Sequence, residues 1–473
     1  MERIKFDLIS PTAPVRRAVA GERPPGPRVF RFSMLPSLYV AASMPPYVET
    51  RIVDEDIEPI DLNTDADLIG ISFMTYNAPR AYEIADRFRD DKGKPVILGG
   101  YHPTLMPDEA SRHADAVCVG DAEPNVPRMM EDFAAGRLSG LYSSEPTPLT
   151  DLPIPRRDLI RKQDYAPIDI VQATRGCHQR CRFCSVTAFH NHHFRARPVA
   201  EVVEEIRDLG RYLLFMDDSI TADRDYAREL FTEMAPLGKH WFSQCSIGIA
   251  EDNQLLNLAA RSGCQGLFIG FESLSEQGLR SWKKHSNLGK DYLAAVRRLH
   301  AAGIAVVAAF VFGGDDDTPD VFPRTLDFLL EANIECLQAT RLTPFPGTLL
   351  FEEMDQKGRI LDRDWSHYDF GHVVFEPAQM TREMLDTGVA WVQSEFYARQ
   401  RIAHRIRRSV RYLDPGVILR AVLPINLAYR RKMASVGTFE LGAAFDPPGD
   451  VRQSKLAVRG SPRSGSGSQL LVE

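Results

Sequence analysis

The sequence lacks the features of a secreted, disulfide-bonded or membrane-spanning protein. Its 473 residues include seven cysteines, an odd and sparse set that does not suggest a disulfide framework. The first residues are charged and are not followed by an apolar segment with a small-residue cleavage site, so we predict no secretory signal. The longest apolar run, Ile304 to Phe312, is too short to cross a bilayer. These absences predict a cytoplasmic protein in a reducing compartment.

An excess of positive charge is also missing. The 57 lysines and arginines are outnumbered by 64 aspartates and glutamates, and the formal net charge of -7 gives no general reason to expect nucleic-acid binding. Hydrophobic residues make up 44% and charged residues 26% of the chain, as in soluble globular proteins. A chain of this length is too long for one ordinary core, so we expect two or three domains.

Three of the few cysteines are clustered. Cys177, Cys181 and Cys184 are four and then three positions apart, directly after the apolar run Ile168 to Ala173, which is typical of a short buried strand. Three thiolates on one tight loop can hold three irons of a cubane cluster and leave the fourth iron without a protein ligand. The loop therefore predicts an open iron-sulfur cluster.

A zinc site is the alternative for this loop. Structural zinc needs four ligands, so a second pair of cysteines or histidines at matching spacing should be present. The other cysteines are single and scattered, and His190, His192 and His193 follow the loop at irregular spacing. We favour the open cubane over zinc or an inert cluster.

Two series of alternating strand and helix patterns predict an α/β protein. The first series, over 1–135, predicts a doubly wound parallel sheet. A proline-rich linker is expected over 136–165, and six further β/α units over 166–380 fit a partial (β/α)6 barrel. The pattern is helical over 381–455, and the Gly/Ser-rich residues 456–473 are predicted to be a disordered tail.

Glycines and hydroxyl-bearing residues follow the strands of the first series. Open parallel sheets bind ligands beyond the carboxyl ends of their strands, and glycines there would let a large flat ligand approach the backbone. The alternative is that Gly99 and Gly100 only make a tight turn. The candidate ligand-binding residues at this edge are Ser72, Thr75, Gly99, Gly100, Tyr101, His102 and Gly120.

The motif Cys177-x-x-x-Cys181-x-Phe183-Cys184 resembles the signature of radical S-adenosylmethionine (SAM) enzymes, with an aromatic residue before the third cysteine. The first domain is similar to the cobalamin-binding-type domain that precedes the radical barrel in one large subclass. The C-terminal helices are similar to those of its hopanoid-associated branch. The resemblance implies a 4Fe-4S cluster on the three cysteines, SAM at the open iron, and cobalamin in the first domain.

The resemblance also implies SAM contacts at other strand ends. A carboxylate of Asp217 or Asp218 would pair with the amino group of SAM, and Glu272 would lie near its ribose or amino-acid portion. Ordinary capping is the alternative, but acidic residues rarely close a buried strand without a partner. The residues implied to bind SAM are Phe183, Asp217, Asp218, Ser246, Glu272, Gly313 and Gly314. Arg195, Arg197 and Arg341 are further candidates for the barrel mouth, but such arginines more often form structural ion pairs, so we do not count them as catalytic.

One motif common in cobalamin proteins is absent. The Asp-x-His-x-x-Gly loop carries a histidine that binds cobalt from below, whereas His102 is followed here by Pro103-Thr104-Leu105. Many radical enzymes of the resembled subclass also lack this loop. Cobalamin therefore remains implied, without a histidine ligand.

The resemblance implies reductive cleavage of SAM to a 5′-deoxyadenosyl radical, with electrons from a donor such as flavodoxin or ferredoxin. With cobalamin, the expected reaction is methylation of an unactivated carbon, or of phosphorus, in a small-molecule or lipid-like biosynthetic intermediate. Without cobalamin, the alternatives are cyclisation, rearrangement or other carbon-carbon bond formation. A non-catalytic electron-transfer or regulatory iron-sulfur protein is the alternative from another class. The substrate could be a polyprenoid, a tetrapyrrole or a secondary-metabolite precursor.

The C-terminal region combines apolar and basic residues at helical spacing. The basic face would suit an anionic substrate or peripheral contact with a membrane, although most such faces are only solvated. The apolar positions expected to face the core or a partner are Val389, Val392, Phe396, Ile402, Ile406 and Val410. The arginines expected on the basic face are Arg399, Arg401, Arg405, Arg407, Arg408 and Arg411.

Overall fold

The structure is a computed structural model that describes residues 3–12 and 31–448. The predicted disordered tail lies outside the described residues. The first domain contains six parallel strands in the order β2-β1-β3-β4-β5-β6. They are β1 (Ile4–Ser10), β2 (Val48–Asp54), β3 (Leu68–Ser72), β4 (Val96–Gly99), β5 (Ala116–Val119) and β6 (Gly140–Ser143). Their helices are α1 (Leu35–Ala42), α2 (Ala78–Asp86), α3 (Tyr101–Leu105), α4 (Pro107–Ala110) and α5 (Val126–Ala134).

Both faces of this sheet are covered, which confirms the doubly wound prediction. Ile69 and Ile71 of β3 belong to a core on one face that includes residues of α2. Leu68 belongs to a second core on the other face, together with Met129 and Met130 of α5. Alternate residues of one strand thus point into two cores, as a parallel sheet between helices requires.

One sequence prediction in this domain needs correction. The sixth strand, Gly140–Ser143, pairs in parallel with β5 although the sequence placed it in the linker over 136–165. Four residues without clear apolar alternation give too little pattern to detect an edge strand.

The second domain has six parallel strands in the order β14-β13-β12-β11-β10-β7, which confirms the partial barrel. The strands are β7 (Asp169–Val171), β10 (Tyr212–Phe215), β11 (His240–Cys245), β12 (Cys264–Glu272), β13 (Ala305–Phe312) and β14 (Cys336–Arg341). A separate antiparallel pair is formed by β8 (Thr174–Arg175) and β9 (Arg195–Ala196). The helices are α6 (Ser185–Phe189), α7 (Val199–Arg207), α8 (Arg224–Met234), α9 (Asn253–Arg261), α10 (Glu276–Ser281), α11 (Tyr292–Ala301), α12 (Val321–Glu331) and α13 (Leu349–Gln356).

The two faces of the barrel sheet differ in burial. Residues that face the surrounding helices, such as Leu267 and Ile269, are fully buried. Residues that alternate with them and face inward, such as Phe242, Phe268 and Val307, are only half-buried. Closed (β/α)8 barrels fill their interior with side chains. This open barrel instead keeps an interior space, the lumen, which becomes part of the site.

The C-terminal helices cover the open edge of the barrel. Val389, Val392 and Phe396 are buried in the same core as the barrel strands, as predicted. The Tyr397 hydroxyl donates to the Leu337 carbonyl (2.8 Å) and accepts from the Leu337 N–H (3.0 Å), which satisfies edge strand β14. The helices are α14 (Arg382–Phe396), α15 (Arg399–Ser409), α16 (Pro415–Val417), a π-helical turn (Ile418–Val422), α17 (Leu423–Ser435) and α18 (Thr438–Ala443).

Two residues of the predicted helical faces lie elsewhere. Val410 is 58% exposed rather than in the core, because α15 ends one residue earlier and the chain turns. Arg405 is not part of a solvated basic face: it is 2% exposed, with its guanidinium 3.6 Å from the Phe396 ring centroid. It also donates to the Asn426 side chain at 2.8 Å.

Among the described residues, every helix is too short or too polar to span a bilayer.

The buried guanidinium predicts a large effect of mutation. Arg405→Ala would remove the bonds to Phe396 and Asn426 and leave a cavity, so we expect the free energy of unfolding to fall by about 3 kcal/mol. Arg407→Ala, at an exposed position of the same helix, serves as the control and should change little. Denaturant unfolding measures both. Equal stability of the two variants would contradict a structural role for Arg405.

Candidate functional site

The cysteine loop begins at a position that only glycine can occupy. Gly176 has φ +82°, and a Cβ atom there would lie 1.9 Å from the carbonyl oxygen of His193, at the far end of the same loop. The Gly176 N–H donates to Oδ2 of Asp218 at 2.7 Å. The loop is therefore closed on itself and tied to the end of β10 before its first cysteine.

Asp217, beside Asp218, holds the strand that leads into the loop. Its carboxylate accepts from the N–H groups of Ala173 and Thr174 and from the Thr174 hydroxyl. Burial raises the pKa of Asp217 to about 7 and that of Asp218 to about 6, although these hydrogen bonds oppose the shift. Both aspartates thus position the loop, and pairing of either with the amino group of SAM stays a prediction.

The three cysteines are neighbours with free thiols. Cys181 is buried, and Cys177 and Cys184 are half-buried. Burial raises the pKa of Cys181 to about 12 and raises that of Cys177, and the Cys184 thiolate adds to both shifts. No three His, Cys, Asp or Glu side chains of residues 3–12 and 31–448 are close enough to hold one metal ion. A cubane places each cysteine on a different iron, so a cluster does not need that convergence.

The loop rests on a segment whose importance the sequence did not reveal. The Phe183 ring lies edge-on to Trp282 at 5.5 Å, and the Arg182 N–H donates to the Trp282 carbonyl. The Cys181 sulfur lies 4.0 Å from the carbonyl oxygen of Lys283. Phe183 is thus a packing residue of the loop, and its predicted contact with SAM is untested. Trp282 has no local motif that could have identified it.

Glu272 forms an ion pair next to the cysteines. It occupies the left-handed region at φ +64°, where β12 breaks register with β13, and its carboxylate lies 2.8 Å from the Lys284 ammonium. Although burial works against the charged form, Glu272 and the thiolates of Cys181 and Cys184 raise the pKa of Lys284. Lys284 therefore brings a positive charge to the cysteine loop, a role that its sequence position did not indicate.

The remaining predicted SAM residues lie at strand ends, as expected, with packing partners of their own. A Cβ atom at Gly313 would lie 2.8 Å from Leu385, and one at Gly314 would lie 2.7 Å from Trp282. Close packing thus accounts for both glycines, and their contact with SAM stays a prediction. Ser246 directly follows β11 and is half-buried.

A cavity of about 1510 Å³ connects the edge of the first sheet, the surroundings of the cysteine loop and the barrel lumen. Ser185, Phe189 and His190, which follow the third cysteine, line it together with Asp217 and Asp218. Five of the seven residues predicted at the first-domain edge also line it: Ser72, Gly99, Gly100, Tyr101 and Gly120.

The other two, Thr75 and His102, do not line the cavity. His102 is fully buried, with Nδ1 3.3 Å from the Thr75 hydroxyl and Nε2 3.3 Å from the Glu109 carboxylate. Its ring also lies edge-on to Trp365. The turn of α3 points this side chain away from the sheet edge, which a sequence cannot reveal within a helix of five residues.

The first-domain edge fits a large flat cofactor. Gly100 has φ +100°, and a Cβ atom there would lie 2.8 Å from the Phe73 carbonyl oxygen, so the chain turns tightly and exposes its backbone to the cavity. Tyr101 stacks on Phe189 at 4.3 Å, which joins this edge to the segment after the cysteine loop. The glycine pair therefore makes a tight turn that also lines the cavity, and ligand binding at this edge stays a prediction.

Arg175 and Arg195, which flank the cysteine loop, bind one carboxylate of the first domain. Arg175 and Arg195 face each other across β8 and β9, and both contact Asp121, which follows β5. Arg175 also contacts Glu123 at 2.6 Å. Although burial opposes it, the two arginines lower the pKa of Asp121. This buried network fixes the cysteine loop relative to the first-domain edge.

The arginines interpreted as ion-pair residues do form ion pairs. Arg195 pairs with Asp121, and Arg197 pairs with Glu205 at 2.6 Å. Arg341 pairs with Asp386 at 2.5 Å.

Two family models match the chain. The model described as "Radical SAM superfamily" matches residues 171–329, and the model described as "B12 binding domain" matches residues 39–129. These ranges contain the cysteine loop and the cavity-lining edge of the first sheet.

Similar proteins include methyltransferases. The chain is 35% identical over 385 residues to bacteriochlorophyllide d C-12(1)-methyltransferase of Chlorobaculum tepidum, covering 78% of this chain and 84% of that protein. It is 24% identical to hopanoid C-2 methylase of Rhodopseudomonas palustris, over 70% of this chain and 66% of that protein. The fold resembles that of the cobalamin-dependent SAM radical enzyme OxsB, with a TM-score of 0.65 and 13% identity over 93% of this chain and 72% of that one.

The closure of the cysteine loop can be tested at Gly176. Both Gly176→Ala and Gly136→Ala place a side chain at positive φ, a strain of about 1 kcal/mol, but only the first creates a clash. We expect Gly176→Ala to lose most of its cluster iron after anaerobic reconstitution, and Gly136→Ala to keep it. Iron analysis and visible absorption measure the difference. A full cluster in Gly176→Ala would contradict the requirement for this closure.

The network around Asp121 predicts a second difference. Asp121→Ala would leave two buried guanidinium groups with one carboxylate fewer, and should lower the free energy of unfolding by about 3 kcal/mol. Asp158→Ala removes the exposed pair with Arg156 and should cost less than about 1 kcal/mol. Denaturant unfolding measures the loss of stability in each variant, and limited proteolysis of the folded variants measures how readily the segment between the domains is cut. Equal losses would show that the buried network does not hold the domains together.

Proposed function

The chain belongs to the B12-binding radical SAM methyltransferases, and on this basis we propose that it transfers a methyl group to an unactivated carbon of a large, mostly apolar small molecule. The membership rests on the relative at 35% identity, of which the chain covers 84%, and on the two family models. The cofactors of this class are a 4Fe-4S cluster, SAM and cobalamin.

The single observation that supports the proposal most strongly is the shared cavity. It is lined by Gly99, Gly100 and Gly120 of the first sheet edge and by Phe189 and Asp218 next to the cysteine loop. A methyl donor held at one edge and a hydrogen-abstracting radical formed at the other would both reach a substrate in this space. Holding the reactants together replaces an encounter in solution by an oriented reaction.

The chain's own residues would hold and shield these groups. Cys177, Cys181 and Cys184 would ligate the cluster, and Lys284 would offset the negative charge of the thiolates. When bound, the cluster and SAM supply a 5′-deoxyadenosyl radical, and cobalamin supplies the methyl group. Tyr101 stacked on Phe189 narrows the boundary between the two edges, which limits the access of water to the reacting carbon.

The cavity also supports a substrate class. Its exposed area is mainly apolar, with Met74 and Met216 as large half-exposed side chains near the two edges. A relative at 35% identity is named for methylation of a bacteriochlorophyllide, a large flat tetrapyrrole. Of the three classes left open by the sequence, we propose the tetrapyrroles.

Partners and location follow as finer proposals. The protein acts on a small molecule, and reduction of its cluster would require a donor such as flavodoxin or ferredoxin. The exposed Arg407 lies near the end of α15, the exposed Val410 and Arg411 follow it, and the exposed Leu419 lies in the next π-helical turn. This surface would suit transient contact with an anionic membrane, and a cytoplasmic location agrees with a reduced cluster.

The proposed function predicts separable losses of the two cofactors. Cys181→Ala should abolish formation of 5′-deoxyadenosine from SAM, because one iron loses its ligand, while hydroxocobalamin binding persists in the other domain. Gly100→Val should instead lose hydroxocobalamin binding and keep the cleavage of SAM, because the valine side chain would meet the Phe73 backbone at the first-domain edge. Cys245→Ala, a buried cysteine outside the loop, is the control and should retain both. Product analysis and the cobalamin absorption spectrum measure the two losses.

The same preparation tests the alternatives. Wild type that binds cluster and cobalamin, cleaves SAM and transfers its labelled methyl group to a tetrapyrrole carbon would establish the proposal. Cleavage without cobalamin binding would favour a cyclase or another carbon-carbon bond-forming enzyme. An intact cluster without any SAM cleavage would favour an electron-transfer or regulatory protein.

A further inference from the structure

The cavity does not end at the cysteine loop but continues through the lumen to the opposite end of the barrel. Inward-facing residues of successive strands line this passage: Leu214, Phe242, Gln244, Phe268, Val307 and Gln338. Residues at the amino ends of the strands line its base. From Tyr212 to Asp217 the passage spans on the order of 16 Å, at about 3.3 Å per strand residue. The cavity is therefore long enough for one elongated or flat molecule to occupy both ends.

Three cationic or ionisable side chains meet at the base. Arg211 directly precedes β10, His240 begins β11, and Arg420 lies in the π-helical turn of the C-terminal region. All three line the cavity. Tyr212 links them: its ring stacks on His240 at 5.5 Å, and the Arg420 guanidinium lies 5.9 Å from its centroid. They come from three separate parts of the chain, so no local motif indicates this group.

These groups have unused capacity to bind an anion. Within residues 3–12 and 31–448, neither guanidinium forms an ion pair, and the buried Nδ1 atom of His240 has no hydrogen-bond partner. Burial lowers the pKa of His240, and Arg211 and Arg420 lower it further. Asp414, which also lines the base, opposes this effect only in part. The base therefore has an excess of positive charge.

Gly416 allows Arg420 to reach its position. A Cβ atom on Gly416 would lie 2.1 Å from Nη2 of Arg420 and 2.8 Å from Oδ1 of Asp414. The guanidinium thus lies over bare backbone, beside an acceptor that already binds the Gly416 N–H at 2.7 Å. The helix turn and the glycine together orient the arginine toward the cavity.

We propose that Arg211, His240 and Arg420 bind a carboxylate of the substrate at the base of the barrel, while its apolar body occupies the lumen. This inference rests on the proposed function, because it takes the cavity to be the substrate site. Guanidinium groups form charge-assisted hydrogen bonds with carboxylates, and the apolar lumen favours a mostly apolar body. The anchored end would set which carbon reaches the cysteine loop, so the base would contribute to positional specificity.

The test compares a chlorin that has one free carboxyl group, pheophorbide a, with its methyl ester. Both are titrated into the anaerobic holoenzyme, and binding is followed by fluorescence of the chlorin. We expect wild type to bind the acid about tenfold more tightly than the ester, as a charge-assisted contact predicts. The double variant Arg211→Gln, Arg420→Gln should bind both at the affinity of the ester. Arg261→Gln, an exposed arginine outside the cavity, should behave as wild type.

Unchanged ester binding in the double variant shows that the lumen is still folded, so a lost preference for the acid is attributable to the anchor. Wild type that binds neither chlorin, or binds both equally, overturns the anchor, as does a double variant that retains the preference. Transfer of a labelled methyl group from SAM to the bound cobalamin is measured separately without substrate. Failure of that transfer with intact acid preference overturns the methyltransferase and leaves the anchor in place.

Discussion

The arrangement of the whole site depends on the buried ion pairs that Asp121 forms with Arg175 and Arg195, the two arginines that flank the cysteine loop. Arg175 lies one residue before Gly176, and Asp121 one residue after Gly120, so the network joins the cysteine loop to the cavity-lining edge of the first sheet. Charges removed from water must be paired, which makes this contact costly to break and therefore fixed in geometry. The distance between the two regions is thus set by residues next to those that close the loop.

The ion pairs place the first domain against the barrel, and the cavity lies between and within these two parts. The first domain borders one end, the C-terminal helices border the amino ends of the barrel strands, and the inward side chains of the barrel leave the lumen unfilled. A reaction between a methyl donor and a substrate radical requires such a space, because both partners must meet without water. The proposed carboxylate anchor at Arg420 gives the far end of the same space a function.

Several residues at strand ends have structural as well as functional explanations. Asp217 binds the backbone before the cysteine loop, and Gly314 gives room to Trp282, which in turn supports Phe183. Such residues support the cysteine loop through backbone hydrogen bonds and packing. Their substitution would disturb the cluster without removing any atom that contacts it, so loss of activity alone would not identify a ligand.

The sequence by itself determined the fold class, the clustering of the three cysteines on one loop and the position of most residues of the first-domain edge. Strand alternation, cysteine spacing and glycine pairs are local patterns. It misplaced His102 and Arg405, since the direction of a side chain within a short helix, or its burial by a later helix, depends on packing. Only the tertiary structure brought Lys284 to the cysteine loop, joined Asp121 to Arg175, and assembled Arg211, His240 and Arg420. These groups are far apart in the chain, and only folding determines which distant charges become neighbours.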